Sequence, residues 1–175
     1  MNEVEVKILE IDRDAVVSRL EELGAEKVFD DEMYAVYLDY DDERLKRYGD
    51  LLRLRKEGSR VMLTFKKHVS DTPAKVREEY ETPVADFGTT RDLFRRLGFI
   101  EWLVVRKRRV SYELDGTHYD IDRYLDDFGH IPEFLEIDAR DMESLSKGIE
   151  LLGFSGEDCK PWTFVDLAMH YSGGK

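Results

Sequence analysis

A single cysteine, Cys159, stands in 175 residues. It has no partner for an internal disulfide, which suits a reducing compartment, and a cysteine-based zinc cluster is excluded. No apolar run approaches the length of a membrane span. Acidic residues begin at Glu3, which leaves no room for a basic, apolar leader. A soluble, cytoplasmic protein is therefore expected. Basic residues are in deficit, 27 Lys and Arg against 39 Asp and Glu, for a net charge of −12. That balance argues against general nucleic-acid binding, and an anionic ligand must be held by a local basic site. No glycine-rich loop of the Walker type is present, so phosphate binding has to come from side chains. The histidines, His68, His118, His130 and His170, show no metal-ligand spacing, and no Ser or Thr has a nucleophile's setting.

What is present is alternation. In Glu3-Val4-Glu5-Val6-Lys7 the charged residues fall at every second position, with Ile8 beyond. Successive side chains of a strand point to opposite faces, so Glu3, Glu5 and Lys7 share one face and Val4, Val6 and Ile8 the other. Two carboxylates about 7 Å apart along a strand repel each other unless cationic charge lies in front of them. The pattern recurs. Arg53 and Arg55 alternate with Leu52 and Leu54, Thr64 and Lys66 fall together, and Arg77, Glu79 and Glu81 lie on one side. Asp122 follows in phase with His118 and Asp120, and Glu136 and Asp138 share a face.

Between these strands the periodicity predicts helices over roughly 13–23, 90–97 and 141–152, closed by Gly24, Gly98 and Gly153. A last short helix is expected after Pro161. Residues 33–39 and 102–114 read as strands, 41–49 as a loop or helical turn, and Asp115-Gly116 as a hairpin turn. A strand with an acid-x-acid pair precedes a helix ending in Leu-Gly three times, at Glu3/Glu5, Glu79/Glu81 and Glu136/Asp138. Composition, 42% hydrophobic and 11% aromatic, supports one folded domain spanning 1–175. The fold class is α+β on an antiparallel sheet. Charged faces on so many strands are best accommodated by closing the sheet into a barrel, charge inward and helices packed outside.

Such a lumen would hold Lys7, Arg53, Arg55, Lys66, Arg77, Lys107 and Arg109 beside Glu3, Glu5, Glu79, Glu81, Asp122, Glu136 and Asp138. Around Arg106-Lys107-Arg108-Arg109 spacing alone does not decide which residues face inward. Arginine forks and lysine charges suit phosphate oxygens. Clustered carboxylates suit hard cations such as Mg²⁺ or Mn²⁺. Together they point to a polyphosphate–metal complex.

In these motifs the chain resembles the CYTH, or triphosphate tunnel metalloenzyme, superfamily. The resemblance is carried by Glu3-x-Glu5-x-Lys7, Leu52-Arg53-x-Arg55, Leu63-Thr64-Phe65-Lys66, Arg77-x-Glu79-x-Glu81, Lys107-x-Arg109-x-x-Tyr112, Asp122 and Glu136-x-Asp138, in that order. It is most like the class IV adenylyl cyclase branch. The resemblance implies an eight-stranded antiparallel tunnel around a triphosphate. It implies a phosphate grip from Lys7, Arg53, Arg55, Lys66, Arg77, Lys107 and Arg109, and it sets Lys107 and Arg109 inward. It also implies metal ligands Glu3, Glu5, Asp122, Glu136 and Asp138, with catalysis centred on Glu3, Glu5, Lys7 and Glu136. Glu79 and Glu81 would be supporting carboxylates. The implied reactions are cyclisation of ATP to cyclic AMP and pyrophosphate, or hydrolysis of inorganic, thiamine or nucleoside triphosphate. A non-catalytic polyphosphate- or nucleotide-binding module is a third reading, and a homodimer is an admitted assembly. Two departures stand out: the last acidic motif ends in Asp138 where the family usually has Glu, and Met33 and Ala35 stand where polar residues are common.

Overall fold

The computed structural model describes residues 4–70 and 76–172. Glu3 and the side chain of Arg77 lie outside the described residues. The elements in chain order are β1 (Val4–Ile8), α1 (Arg13–Glu22), β2 (Glu26–Tyr40), α2 (Arg44–Arg47), β3 (Leu51–Glu57), β4 (Arg60–Ser70), β5 (Val76–Pro83) and α3 (Phe87–Arg96). Then follow β6 (Phe99–Leu114), β7 (Thr117–Tyr124), β8 (Phe134–Ala139), α4 (Met142–Leu151), β9 (Cys159–Lys160) and α5 (Phe164–Ser172). No helix among the described residues is long and apolar enough to cross a membrane.

The three acidic strands with their helices share one construction. β1, β5 and β8 each lead into a helix whose N-cap is an aspartate. Asp12 Oδ1 accepts from the Ala15 amide at 3.1 Å, Asp86 Oδ1 from Thr89 at 2.6 Å and Asp141 Oδ1 from Ser144 at 2.8 Å. Each cap satisfies an amide that the first helical turn leaves without a partner. Each helix ends at Leu-Gly, with Gly24, Gly98 and Gly153 in the left-handed region.

The strands form an α+β fold on one large antiparallel sheet, hydrogen-bonded in the order β5-β4-β3-β2-β6-β7-β8-β1-β9. This corrects the expectation of eight strands closed in a ring. Among the described residues there are nine strands, and their order is linear. The added strand is β9, which sets Lys160 opposite Lys7 and Cys159 opposite Ile8. It takes up backbone groups on the side of β1 away from β8, where a closed ring would have needed another partner.

The described residues divide into two compact units: Glu32–Arg106, and Val4–Asp31 together with Lys107–Ser172. β2 and β6 each run from one unit into the other. In the unit that holds β1, the apolar face carries Ile8, Val110, Tyr112, Tyr119, Ile121, Leu135 and Ile137. Val16 and Leu20 of α1 and Leu145 and Ile149 of α4 cover it. Fully burying each large aliphatic side chain contributes about 1.5–3 kcal/mol. At Gly148 of α4 a Cβ would stand 2.9 Å from the Tyr119 hydroxyl, so the helix lies closer to β7 than a side chain would permit.

In the Glu32–Arg106 unit, Val36, Leu38, Leu52, Leu54 and Val61 form the core, with Phe87 and Phe94 of α3 against it. The helix is also pinned electrostatically. Arg91 donates from Nε and Nη2 to the two oxygens of Glu101, both at 2.6 Å, and Arg95 Nε donates to Oε1 at 2.7 Å. The Arg91 fork, opposed by partial burial and helped by Arg95, holds the Glu101 carboxyl below its ordinary value. A depressed carboxylate contributes stability that is present above its unfolded pKa and lost as pH falls through the folded one. Glu101→Gln is therefore expected to flatten the acid limb of stability. Urea unfolding at roughly pH 6 and roughly pH 3.5 should give a smaller difference in the variant than in the wild type, and equal differences would contradict this role.

Candidate functional site

In the unit that holds β1, backbone register collects the charged residues on one face. β1, β8, β7 and β6 pair so that Lys7 lies opposite Glu136, Glu136 opposite Asp120 and Asp120 opposite Ser111. On the other side of Lys7 stands Lys160. The next row on the same face runs Glu5, Asp138, His118, Glu113, and another pairs Arg109 with Asp122. Residues directly opposite on antiparallel neighbours have Cβ atoms about 4.5–5.5 Å apart, so each row is a line of interacting side chains.

Lys7 is 4% exposed. Its Nζ lies 2.6 Å from Glu136 Oε2 and 3.7 Å from Glu5 Oε1. Burial alone would lower the Lys7 pKa, but Glu136 and then Glu5 outweigh it and raise it. Burial would likewise raise Glu136, yet Lys7 and then Arg109 hold its carboxyl well below the usual range. Asp122 is completely buried. It accepts from Lys107 Nζ at 2.5 Å and from Arg109 Nε and Nη2 at 2.7 and 2.6 Å. Arg109 also reaches Glu136 Oε1 at 3.1 Å and pairs with Asp120 through Nη1. Burial and then the neighbouring Arg109 charge lower the Lys107 pKa, against the pull of Asp122. Lys107 and Arg109 thus share the face of Asp122, whereas Arg106 and Arg108 pair with Glu32 and Asp30 at 2.6 Å.

The Glu32–Arg106 unit carries a second charged face. Tyr37, Arg53, Thr64 and Glu81 form one row, and Leu51, Lys66 and Glu79 another. Lys66 Nζ meets Glu79 at 2.8 Å, and Thr64 Oγ1 donates to Glu81 Oε2 at 2.6 Å. Arg55 Nε pairs with Glu57 at 2.7 Å, with Glu81 at 3.5 Å from Nη2. Arg53 differs. It is half-buried with its Nε enclosed, and its pKa is raised, desolvation being outweighed by Tyr37 and then by Glu79 and Glu81. Its Nε has no hydrogen-bond partner among the described residues. A buried donor left unmet costs about 1–3 kcal/mol, a deficit that an anionic ligand can remove. Ala35 and Met62 flank Arg55 in their row, and Met33 lies opposite Glu57.

Several participants were not singled out from the sequence. Asp120 carried the signal, being in phase with Asp122. Glu57 carried it too, as the next alternate position after Arg53 and Arg55, although it reads as the start of a turn. Tyr37 emerges only through register, and so does the pairing of Thr64 with Glu81.

Carboxylate oxygens of Glu5, Glu136 and Asp138 lie within 4.8 Å of one another. An all-oxygen, anionic donor set on adjacent strands fits a hard divalent cation. Asp122 stands apart from this trio, its oxygens taken by Lys107 and Arg109.

The CYTH domain matches residues 1–158. This chain belongs to the CYTH domain family. A relative from Methanocaldococcus jannaschii, named "Putative adenylate cyclase", is 33% identical over 141 residues, covering 79% of this chain and 77% of that one. A Pyrococcus horikoshii protein of known structure is 27% identical with a TM-score of 0.75, covering 94% of this chain and 98% of that one. A Hippeastrum protein, described as a "putative adenylyl cyclase" with a dominant triphosphatase activity, superposes with a TM-score of 0.68 at 16% identity. The overlap covers 99% of this chain and 96% of that one, and at this identity it speaks to the fold alone. CYTH proteins are generally metal-dependent, and the Glu5, Glu136 and Asp138 trio is a donor set that fits such a role.

Proposed function

We propose that this CYTH chain is an enzyme that binds a triphosphate and displaces part of it, with ATP cyclised to cyclic AMP and pyrophosphate as the first reading. The observation that supports it most is the coexistence, on the charged face of the unit that holds β1, of an oxygen trio suited to Mg²⁺ or Mn²⁺ and of the cations Lys7 and Lys107, suited to phosphate. A binding module would need the cations but not the trio. Glu3, outside the described residues, is a further ligand by the resemblance of Glu3-x-Glu5-x-Lys7. A bound divalent cation would neutralise phosphate oxygens and acidify a coordinated hydroxyl.

The chain's own residues would do the rest. In the Glu32–Arg106 unit Arg53 offers an unmet buried donor beside Lys66 and Arg55, and in the unit that holds β1 the positive charge comes from Lys107 and Lys7. Arg77 would join them. Lys7 fixes the orientation of Glu136 through the 2.6 Å pair. Cyclisation forms a bond from the ribose 3′-oxygen to the α-phosphorus as that hydroxyl gives up its proton to solvent, breaks the bond from the α-phosphorus to the oxygen shared with the β-phosphorus, and releases pyrophosphate. Such a displacement depends on alignment and charge stabilisation more than on covalent help.

Cyclisation is supported by the name of the Methanocaldococcus jannaschii relative. Triphosphate hydrolysis is the second reading. It is supported by the rows around Arg55 and Glu57, where Met33, Ala35 and Met62 offer no side-chain hydrogen bond to a base beyond the weak acceptor sulfurs of the methionines. Incubation with ATP, or with inorganic triphosphate, and Mg²⁺ or Mn²⁺ separates the readings. Cyclic AMP with pyrophosphate supports the first, and free phosphate supports the second. Binding without turnover would leave a non-catalytic module.

The phosphate grip has its own test. Arg53→Ala is expected to weaken inorganic triphosphate binding by about 1.5–3 kcal/mol, the scale of a hydrogen bond to a charged group. Calorimetric titration at low salt reads this directly, and wild-type affinity would remove Arg53 from the grip.

A further inference from the structure

The charged face of the Glu32–Arg106 unit also carries an apolar stripe, which the phosphate grip does not use. In β6, Phe99 meets Phe94 of α3 with ring centroids 5.2 Å apart, and Glu101 takes the Arg91 fork, so these two positions face the helix. Ile100, Trp102 and Val104 therefore point to the opposite side, by strand alternation. There the Trp102 ring meets Tyr37, the centroids 5.8 Å apart. Tyr37 lies opposite Arg53 in register and accepts a hydrogen bond from its guanidinium. It thus bridges Trp102 and Arg53, whose Nε has no partner among the described residues. Ile100 and Val104 are 39% and 40% exposed, and Trp102 is part-exposed between them. Part-exposed apolar groups beside an unmet cationic donor match a ligand that is anionic at one end and flat and apolar at the other.

We propose that Trp102, with Tyr37 beside it, is the stacking platform for the aromatic base of a nucleoside triphosphate whose phosphates reach Arg53. The inference rests on the triphosphate reading above and narrows it to a substrate with an organic ring. Lys46 of α2 holds its Nζ 5.3 Å from the centroid of the Trp102 ring. That lysine is exposed, and its pairing with Glu43 is long, at 3.3 Å. An exposed cation over a ring is held more weakly than a stacked base, so the base displaces it. Every base has a π-face, so the platform reads the presence of a ring and not its hydrogen-bonding pattern. Stacking needs no side-chain donor, so the apolar residues Met33, Ala35 and Met62 in the rows of Arg55 and Glu57 do not speak against it.

Calorimetric titration of the full chain with ATP, and separately with inorganic triphosphate, tests this. Trp102→Ala is expected to weaken ATP binding by about 5–100-fold and to leave inorganic triphosphate binding unchanged. Trp102→Phe keeps a ring and should retain most of the ATP affinity. Should both variants fail to fold, Trp162→Phe leaves Trp102 as the one tryptophan of the chain. Its fluorescence should then be quenched by ATP and not by inorganic triphosphate. ATP affinity unchanged in Trp102→Ala, an equal loss for both ligands, or fluorescence indifferent to bound ATP would overturn the assignment. Any of these results with inorganic triphosphate still bound by the wild type leaves the functional reading standing. A wild type that binds neither ligand, with Mn²⁺ or without it, overturns both.

Discussion

Asp122→Ala is expected to destabilise the protein by about 3–5 kcal/mol, the cost of leaving buried charge without its partner. The residue is completely buried and binds two cations at once, Lys107 at 2.5 Å and Arg109 at 2.6–2.7 Å. Its removal leaves an ammonium and a guanidinium side by side with no charge between them. Lys107 would respond first, because burial and Arg109 already lower its pKa and Asp122 is the strongest influence opposing them. A lysine can shed its proton where an arginine cannot, so part of the cost would appear as deprotonation of Lys107. For a chain of this length about 3–5 kcal/mol corresponds to a fall in Tm of roughly 6–20 °C. Asp122→Asn should fall between, since an amide oxygen still accepts from one donor. A melting temperature for Asp122→Ala within a degree or two of wild type would show that the pair is not the anchor its burial implies.

The contrast between Asp122 and Glu5 shows where sequence reading reaches its limit. Period-two alternation assigned both to the same kind of face, and the register across β1, β8, β7 and β6 places both there. Alternation says nothing of depth. Depth depends on how many strands flank a residue and on which neighbours fill the space around it. Asp122 sits on an interior strand between β6 and β8. Glu5 sits on β1, between β8 and the short β9, and its side chain is 41% exposed.

The same limit applies to pairing. That Lys66 would lie near Glu79 and Arg53 near Glu81 follows only once β3, β4 and β5 are in register. Which arginine is tied to carboxylates and which is left with an unmet donor is a question of side-chain direction, on which spacing is silent. The helices were legible because Asp12 and Asp141 and the Leu-Gly ends are local signals. The nine-strand linear order was not. β9 is two residues long, too short to show alternation, and it pairs only with Lys7 and Ile8 of β1. β2 begins seven residues earlier than its aromatic core suggests, because Glu26 to Glu32 form strand without an apolar face to announce it.

Glu5→Gln is expected to cut turnover of ATP or inorganic triphosphate by about 10²-fold or more, taking the loss of an outer partner as the lower bound for loss of a ligand. The fold should hardly respond. Glu5 is the exposed member of the trio, and its pairing with Lys7 at 3.7 Å is looser than the 2.6 Å contact that Glu136 keeps. Exposed substitutions of this kind usually stay within about 0.5 kcal/mol. Gln keeps the length and one oxygen of the side chain but removes the charge, so steric and electrostatic explanations separate. If the charge serves to hold a divalent cation, raising Mn²⁺ should recover part of the lost rate. The apparent Mn²⁺ requirement should move upward by a factor comparable to the loss seen at low Mn²⁺. If the charge served only to balance Lys7, no excess of Mn²⁺ would restore activity and the loss would be seen equally at every concentration. Wild-type turnover at limiting Mn²⁺ would remove Glu5 from the site altogether. It would leave Glu136 and Asp138 as the remaining members of the trio, with Lys7 against Glu136.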